Sequence, residues 1–349
     1  MSDKYGVGIV GMGWVSGEHF KAYSNNEHAQ VRGVCSLTVD ESKAKLAELS
    51  ATQCTEGVEV FATYEEMLAC PEIQIVSVCS PPSLHPAQAI AAARAGKHVC
   101  IEKPLALNLA NLRRIQQAVD EAGVKTIVSL ECHYNPEVQV IKSLLDQGMI
   151  GEVFQCEADY YHGIGPWYAQ WSWNITPQEG GSSYLSAGCH ALDAVRYFAG
   201  SRVTEVSAFA NTSRSNNLKY QYPPNTVCIL KFENGVIGKC ASSIEYIGPY
   251  YFPITINGDA GHIRNNQLWS NKIKGQQGMA TIPTIMLDSG DVTHHPFQGE
   301  MDELLDCIVN DKESHLSVNN AAKTFEVVYA ADQSAKEGRT IRIEEFLAK

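Results

Sequence analysis

A lysine at the end of a buried strand is the first candidate for chemistry in this chain. Residues Val99–Pro104 read Val-Cys-Ile-Glu-Lys-Pro, in which the three apolar residues predict a buried strand and Pro104 ends it. In a doubly wound α/β sheet, Glu102 and Lys103 would lie at the carboxyl end of that strand, where ligands bind. A lysine there can donate a hydrogen bond to a hydroxyl group or stabilise a developing alkoxide. The alternative is a surface lysine beside a turn proline.

A histidine in the second half of the chain is the other candidate for a catalytic group. His190 follows a Gly-Gly turn and lies at the start of a helix predicted to end near Ala199. A neutral imidazole can take the proton of a hydroxyl group near pH 7. Ser186 either binds a hydroxyl group or caps the helix, and Asp193 is placed to support the imidazole. A purely structural role for His190 is the alternative.

Aromatic side chains crowd the segment that precedes this helix. Residues 160–173 contain six tyrosines and tryptophans and one histidine, and Tyr161, His162 and Trp173 are candidates for substrate binding. Flat rings suit the C–H faces of sugars, and a histidine beside them can hydrogen-bond hydroxyl groups. The alternative for any single ring is a place in a loop core or in a subunit contact.

A glycine-rich turn near the start of the chain predicts a nucleotide site. Strand Tyr5–Val10 leads into Gly11-Met12-Gly13-Trp14-Val15-Ser16 and then into a helix, which is G-x-G-x-x-(small) between strand and helix. The helix start would supply N–H groups for a pyrophosphate. The pattern is weak by itself, because glycine-rich turns also occur without nucleotides.

The turn after the second strand bears on the choice between NAD and NADP. An NAD site usually carries an acidic residue there, but this chain reads Ser36-Leu37-Thr38-Val39-Asp40, so the acid is absent or displaced. No arginine follows either, which leaves the choice poorly specified.

The elements that position these groups fall into two patterns. Up to Leu130, strands alternate with helices, which predicts a mostly parallel sheet with right-handed crossovers. From Gly151 onward strands dominate, and Asn234-Gly235 predicts a tight hairpin between two of them. The predicted fold is therefore α/β: a Rossmann domain over residues 1–131 and an α+β domain with a large, predominantly antiparallel open sheet over residues 132–349.

Composition excludes several classes of function. The 349 residues carry a net charge of −12 without any Lys/Arg-rich run, which argues against nucleic-acid or anionic-membrane partners. Eleven scattered cysteines without a C-x-x-C pair indicate reduced thiols, and no signal peptide or membrane span is seen, so we expect a cytoplasmic protein. His294-His295 lacks the spacing of a helical metal pair, and no metal is predicted.

Three segments together resemble one family. They are Gly11-Met12-Gly13 followed by His19, Ser-Pro-Pro-Ser-Leu-His at 80–85, and Ala-Gly-Lys-His-Val-Cys-Ile-Glu-Lys-Pro at 95–104. Their order and spacing resemble the glucose–fructose oxidoreductase / inositol dehydrogenase / MocA (Gfo/Idh/MocA) family of nicotinamide-dependent oxidoreductases, over nearly the whole chain. The family usually has an aspartate four residues before the histidine that matches His190, where this chain has Ser186.

The resemblance implies site residues, a cofactor and an assembly. The cofactor is NAD or NADP, with NAD favoured, and the chain is expected to form a dimer or tetramer through the open face of its second sheet. Two helices over residues 297–337 close the chain and are expected to pack back on the first domain. Pro104 is expected to follow a strained or cis peptide, and His85 is either a helix cap or a neighbour of the cofactor. The predicted catalytic residues are Lys103 and His190; the cofactor-binding residues are Gly11, Met12, Gly13, Trp14, Val15, Ser36, Thr38, Ser80, Pro81, His85, Glu102 and Lys103; the substrate-binding residues are Lys103, Tyr161, His162, Trp173, Ser186 and His190.

Three functions follow as hypotheses. The first is an NAD(P)-dependent dehydrogenase that acts on a secondary hydroxyl of a sugar, glycoside or cyclic polyol, for which the resemblance points to a pyranose 3-hydroxyl or an inositol hydroxyl. The second is a redox-neutral enzyme that cleaves a glycoside by oxidation and elimination while the cofactor is recycled. The third is a protein that binds a dinucleotide or a sugar without catalysis, against which Lys103 and His190 argue.

Overall fold

The computed structural model describes residues 4–288 and 292–348, which divide into two compact units. Unit 1 contains the chain up to Glu131 together with Pro296–Ala322, and unit 2 contains Cys132–His295 together with the residues from Lys323 onward. The segment 296–322 therefore belongs to the first unit although it is distant in sequence.

The helices and strands of the described residues are as follows. The helices are α1 Ser16–Asn25, α2 Val39–Leu49, α3 Tyr64–Ala69, α4 His85–Arg94, α5 Leu109–Ala122, α6 Pro136–Asp146, α7 Trp171–Asn174, α8 Cys189–Ala199, α9 Phe297–Val309, α10 Val318–Glu337 and α11 Ile343–Leu347. The strands are β1 Tyr5–Val10, β2 Ala29–Cys35, β3 Glu59–Val60, β4 Ile75–Val78, β5 His98–Ile101, β6 Thr126–Val128, β7 Val153–Tyr161, β8 Val203–Asn211, β9 Asn225–Phe232, β10 Ile237–Ser243, β11 Ile254–Gly258, β12 Gly261–Arg264, β13 Gln267–Ser270, β14 Ala280–Thr281 and β15 Ile341–Arg342.

Unit 1 is built on a six-stranded sheet with the order β3-β2-β1-β4-β5-β6, in which all neighbouring strands are parallel. Strands β1, β4 and β5 are apolar and almost entirely buried, as expected for a sheet covered on both faces. The strand order reverses beside β1, so the carboxyl ends of β1 and β4 flank the crevice where such sheets bind ligands.

Local sequence signals set the helix ends in unit 1. Thr63 and Glu66 form a capping box at the start of α3, and the Asn108 side chain caps α5 by accepting a hydrogen bond from the Asn111 N–H. Gly123 ends α5 in the left-handed region at φ +63°, which favours glycine.

Unit 2 is built on a nine-stranded sheet with the order β14-β13-β12-β11-β7-β10-β9-β8-β15. The predicted Asn234-Gly235 turn joins β9 and β10 as an antiparallel hairpin, with Gly235 at φ +88°. One pairing is parallel, that of β7 with β10, and the remaining pairings of this sheet are antiparallel. Helix α8 packs on β7 and β10 and covers one face of the sheet.

The predicted fold class is confirmed, and the differences lie at element ends and in short elements. Helices α6, α7 and α11 and strands β12 to β15 were not predicted; all of them except α6 are only two to five residues long. Within the part of the chain that the structure describes, no helix combines the length and apolarity that crossing a bilayer requires.

Candidate active site

The glycine turn of unit 1 leaves open space at the carboxyl end of β1. Gly11 has φ +86°, and a Cβ atom there would lie 2.4 Å from the Ser80 nitrogen, so the turn requires glycine. A Cβ atom on Gly13 would meet no atom within 4 Å, and the Ser16 hydroxyl donates a hydrogen bond of 2.8 Å to the Gly13 carbonyl. Among the described side chains none caps α1, whose N-cap residue is Val15, so its first N–H groups are available to an anion. Met12 is buried in the same turn, and Trp14 follows Gly13.

The carboxylate of Glu41, which the sequence pattern did not reveal, lies close to the end of β2. The Ser36 hydroxyl donates a hydrogen bond of 3.0 Å to Oε2 of Glu41, and Thr38 caps α2 by accepting from the Glu41 N–H. Leu37, between them, is 82% exposed. The acid is therefore displaced by several residues rather than absent, and the helix start brings it back to the end of β2.

Glu102 and Lys103 stand directly after β5, as predicted. Oε1 of Glu102 lies 3.0 Å from Nε2 of His19, which is fully buried on α1. Oε2 of the same carboxylate accepts a hydrogen bond of 3.2 Å from the Lys103 backbone N–H, and the Lys103–Pro104 peptide is cis, which agrees with the prediction for that bond. The backbone position of Lys103 is thus fixed through Glu102, and its side chain is half-buried.

The pairing of His19 with Glu102 shifts the pKa of both groups toward their charged forms. Burial by itself lowers the pKa of His19, but its contacts with Cys79, Cys100 and Glu102 outweigh burial and raise it well above 6.5. Burial likewise opposes ionisation of Glu102, and the hydrogen bond and charge of His19 together with Lys103 lower its pKa below 4.5. The two groups form a buried ion pair.

His85 joins two of the loops at this edge of the sheet. Its Nδ1 lies 2.8 Å from the Pro104 carbonyl and its Nε2 lies 2.8 Å from the Ser80 carbonyl. His85 is the first residue of α4, which has Leu84 as its N-cap and no side-chain cap among the described residues, so the helix-cap alternative is wrong. Pro81 accepts a backbone hydrogen bond from Leu84 in the same loop.

In unit 2, His190 is buried on the first turn of α8 against the sheet. Its ring is inclined by 26° to the ring of Tyr160 on β7, with centroids 6.3 Å apart. The Tyr160 hydroxyl lies 3.4 Å from Nδ1 of His162, so both predicted histidines are neighbours of the same tyrosine. The sequence predicts Tyr161 rather than Tyr160 for substrate binding, because alternation along β7 does not reveal which of two adjacent tyrosines faces α8.

Tyr161 lies on the opposite face of the sheet from Tyr160. Its hydroxyl lies 3.4 Å from Asp159, and its ring packs against Tyr246 and Tyr251. Trp173 is half-buried in the short helix α7. His190, Tyr160 and His162 are therefore neighbours on one face of the sheet, and Tyr161 lies on the other face.

Ser186 lies within a π-helical turn, Tyr184–Gly188, that runs directly into α8. Its hydroxyl donates a hydrogen bond of 2.9 Å to Oδ1 of Asn174, and the N-cap residue of α8 is Gly188. The helix-cap alternative for Ser186 is therefore wrong. A π turn places one extra residue before α8, and such turns are common at functional sites.

Asp193 does not serve as a substitute for the missing aspartate. Its Oδ2 lies 2.5 Å from Nε2 of His133, and its Oδ1 contacts Arg196 and the Thr324 hydroxyl. Burial opposes ionisation of this carboxyl, but His133 and Arg196 lower its pKa to about 2. Both oxygens are thereby engaged in a buried structural network.

Unit 1 fits a dinucleotide on its own geometry. The open space over Gly13, the uncapped first turn of α1 and the Glu41 carboxylate after β2 are the three features that such a cofactor needs for its pyrophosphate and ribose. Glu102 and Lys103 lie at the carboxyl end of β5, at the same edge of the sheet.

Comparison with known proteins gives two family matches. The model described as "Oxidoreductase family, NAD-binding Rossmann fold" matches residues 5–130, and the "GFO/IDH/MocA C-terminal domain" matches residues 138–264. Together they span most of the chain.

Individual relatives are distant. An uncharacterized oxidoreductase of Synechocystis sp. is 28% identical over 196 residues, which is 56% of this chain and 51% of that protein. The myo-inositol 2-dehydrogenase of Thermotoga maritima is 23% identical over 98% of this chain and 99% of its own length. Among solved structures, a levoglucosan dehydrogenase in complex with NADH and levoglucosan has a TM-score of 0.86 at 19% identity and covers 98% of this chain and 100% of its own.

Proposed function

The chain belongs to the Gfo/Idh/MocA family of NAD-binding oxidoreductases, and from that premise we propose that it oxidises a secondary hydroxyl of a sugar or cyclic polyol. The observation that carries the proposal is Lys103, held after β5 through the Glu102 carboxylate at the ligand-binding edge of a dinucleotide fold. Distant relatives named for dehydrogenation of inositol and levoglucosan support this class of substrate.

Each catalytic residue has one proposed role. The Lys103 ammonium group donates a hydrogen bond to the reacting oxygen and stabilises negative charge that develops on it. His190 accepts the hydroxyl proton, and Tyr160, whose ring centroid lies 6.3 Å from that of His190, forms part of its surroundings. The bound nicotinamide supplies the hydride acceptor.

Two features of unit 2 support a neutral, hydroxyl-rich substrate. Tyr160 and His162 present flat rings near His190, which suits the C–H faces of a sugar ring. Ser186, four residues before His190 in sequence, places a hydroxyl where relatives in the family usually have a carboxylate, and this hydroxyl donates a hydrogen bond to the side-chain amide oxygen of Asn174. We propose that this pair hydrogen-bonds a substrate hydroxyl in place of that carboxylate.

The experiment that tests the function is turnover of a sugar and polyol panel by the wild-type protein and Lys103→Ala. We expect NADH to accumulate at 340 nm with at least one substrate, and the variant to lose at least about a thousandfold in kcat/KM. NADH binding, measured by fluorescence, should change little. Lys21→Ala, which removes an exposed lysine of α1, is the matched control.

Near-normal turnover by Lys103→Ala would refute the role of Lys103. Cleavage of a glycoside without accumulation of NADH would replace net oxidation with the redox-neutral reaction. Binding of NADH without turnover of any sugar would favour a protein without catalytic activity.

We also propose that two copies of the chain meet through the face of the second sheet opposite α8. This open face carries exposed apolar side chains in neighbouring registers of β8, β9 and β10, among which Phe209 is 77% exposed and Ile229 62%. Lysines and glutamates alternate with them, as Lys231 beside Glu205 does, so the face can pair with its own copy. Light scattering that gives the mass of a monomer at micromolar concentration would contradict this.

A further inference from the structure

A cavity of about 710 Å³ lies at the end of the second sheet, wholly within unit 2. It is formed where β7 and β10 end and β9 begins, and the loops before and after these strands complete it. Its size lies within the range of small-molecule sites. Apart from His162, none of its lining residues was a predicted site residue. The side chains used below are those of His162, Trp167, Asn225, Glu245, Tyr246 and Tyr250.

Two aromatic side chains that line the cavity, Trp167 and Tyr246, each lie close to a glycine. A Cβ atom on Gly165 would lie 2.5 Å from the Trp167 ring, and a Cβ atom on Gly248 would lie 2.7 Å from the Tyr246 ring. Both rings therefore lie closer to the glycine backbone than a residue with a Cβ atom would allow without a shift of the ring. Trp167 is nevertheless 69% exposed, so its free face is available for contact with a ligand.

The polar part of the cavity carries a fixed carboxylate. Oε1 of Glu245 accepts hydrogen bonds from the Ser213 N–H at 2.7 Å and from the Asn225 amide at 2.5 Å, and Oε2 accepts from the Ser213 hydroxyl at 2.8 Å. Oε1 thus accepts two hydrogen bonds, whereas Oε2 accepts one and keeps capacity to accept another from a hydroxyl group. No lysine or arginine is among the described residues that line the cavity, so its charge disfavours phosphorylated or acidic ligands.

Tyr160 links the aromatic wall of the cavity to His190. Tyr250 and His162 line the cavity, and their rings are 5.4 Å apart. The ring centroid of Tyr160 lies 5.5 Å from that of Tyr250 and 6.3 Å from that of His190. One tyrosine is therefore a neighbour both of a ring that lines the cavity and of the proposed proton acceptor, which places the two within the reach of a two-ring ligand.

We propose that this cavity is a subsite for the second ring of a neutral glycoside whose first ring is oxidised beside His190. The inference rests on the proposed function and narrows its substrate class from sugars, glycosides and cyclic polyols to glycosides that carry a neutral sugar ring. The free face of Trp167 packs on the C–H face of that ring, and Glu245 accepts hydrogen bonds from its hydroxyl groups.

The test compares substrates that differ by one ring, in wild-type protein and in Trp167→Ala. The probes are glucose, methyl β-glucoside, phenyl β-glucoside, cellobiose and maltose, each with NAD⁺ and followed at 340 nm. We expect kcat/KM for at least one disaccharide to exceed that for glucose at least tenfold. Trp167→Ala should raise KM for that disaccharide at least tenfold and leave KM for glucose unchanged. Phe154→Ala, which removes a half-exposed ring at the far end of β7, is the control.

Charge gives a second, independent readout. Glu245→Gln should reduce the preference for the disaccharide without affecting glucose, and cellobionic acid should be a poor substrate for the wild-type protein. A preference for phenyl β-glucoside alone, insensitive to Glu245→Gln, would assign the cavity to an aryl group and overturn the proposal of a sugar ring.

Failure of the subsite and failure of the function give different results. If monosaccharides are oxidised, disaccharides are no better, and Trp167→Ala changes both classes equally, the subsite is wrong while the function stands. If no sugar is oxidised but cellobiose quenches the fluorescence of the wild-type protein and not of Trp167→Ala, the cavity binds a sugar ring and the proposed oxidation is wrong. If neither oxidation nor quenching occurs, both are wrong.

Discussion

Nε2 of His19 lies 3.0 Å from Oε1 of Glu102, and both side chains are buried inside unit 1. His19 lies on the helix that follows the glycine turn, and Glu102 lies at the end of β5 beside Lys103. The second ring nitrogen of His19 lies 2.8 Å from the Ser77 hydroxyl on β4. One imidazole therefore ties the start of the dinucleotide fold to the strand end that carries the proposed catalytic lysine.

We expect His19→Gln to lower the free energy of unfolding by about 3 kcal/mol at pH 5.5, because it leaves Glu102 as a buried charge without its partner. The raised pKa of His19 stabilises the fold fully below pH 6.5, and this contribution is lost as the pH rises through the folded-state value. The lowered pKa of Glu102 contributes above pH 4.5 and is lost in acid. Urea denaturation at pH 5.5, 7.5 and 9 should show the difference from wild type shrinking toward pH 9.

His28→Gln is the control for this measurement, because His28 is an exposed histidine of the same unit. It should change stability by less than about 0.5 kcal/mol at every pH. A His19→Gln penalty that grows toward pH 9 would contradict a charged imidazole in the folded state.

We expect Glu300→Gln to make the protein more stable at pH 8, unlike most substitutions of buried charged residues. Glu300 is fully buried on α9. The Ser129 hydroxyl donates a hydrogen bond of 2.7 Å to Oε1 of Glu300, and Oε2 has no hydrogen-bond partner among the described residues. Burial raises the pKa of this carboxyl to about 8, so the folded state holds a proton that the unfolded chain releases above pH 4.5. Wild-type stability therefore falls between about pH 4.5 and pH 8, and the amide removes that loss.

The gain should be about 1–3 kcal/mol at pH 8 and close to zero at pH 5, from urea denaturation at both values. Glu27→Gln, on an exposed side chain of unit 1, should show no such pH dependence. A Glu300→Gln variant that is less stable than wild type at pH 8 would mean that the ionised carboxylate itself stabilises the fold.

The parts of the fold that the sequence predicted are those that depend on local pattern. The glycine turn, the buried strand before Glu102 and the hairpin at Asn234-Gly235 each follow from residues adjacent in sequence, and the structure has all three. The family matches confirm the resemblance that was based on the first two of these segments and on residues 80–85.

The parts that could not be predicted depend on which way a side chain faces or on contacts between distant segments. Tyr160 rather than Tyr161 faces His190 because of strand register, which adjacent identical residues do not reveal. Ser186 bonds to Asn174 twelve residues earlier, through a π turn with no sequence signature. The cavity beside Trp167 is lined by loops near residues 163, 215 and 246, so no single stretch of sequence predicts it.

We expect Glu41 to favour NADH over NADPH. Its carboxylate is held by Ser36 at the end of β2, where an acidic residue hydrogen-bonds the ribose 2′-hydroxyl of NAD and repels the 2′-phosphate of NADP. Fluorescence titration of the wild-type protein should give tighter binding of NADH. Glu41→Gln should improve the ratio of NADPH to NADH affinity by about five- to tenfold, because the repulsion is lost while the side chain keeps its length. Glu48→Gln, on the same helix and paired with Lys45, is the control and should leave the ratio unchanged. Tighter binding of NADPH than of NADH by the wild-type protein, with no effect of Glu41→Gln, would place the 2′-position away from this carboxylate.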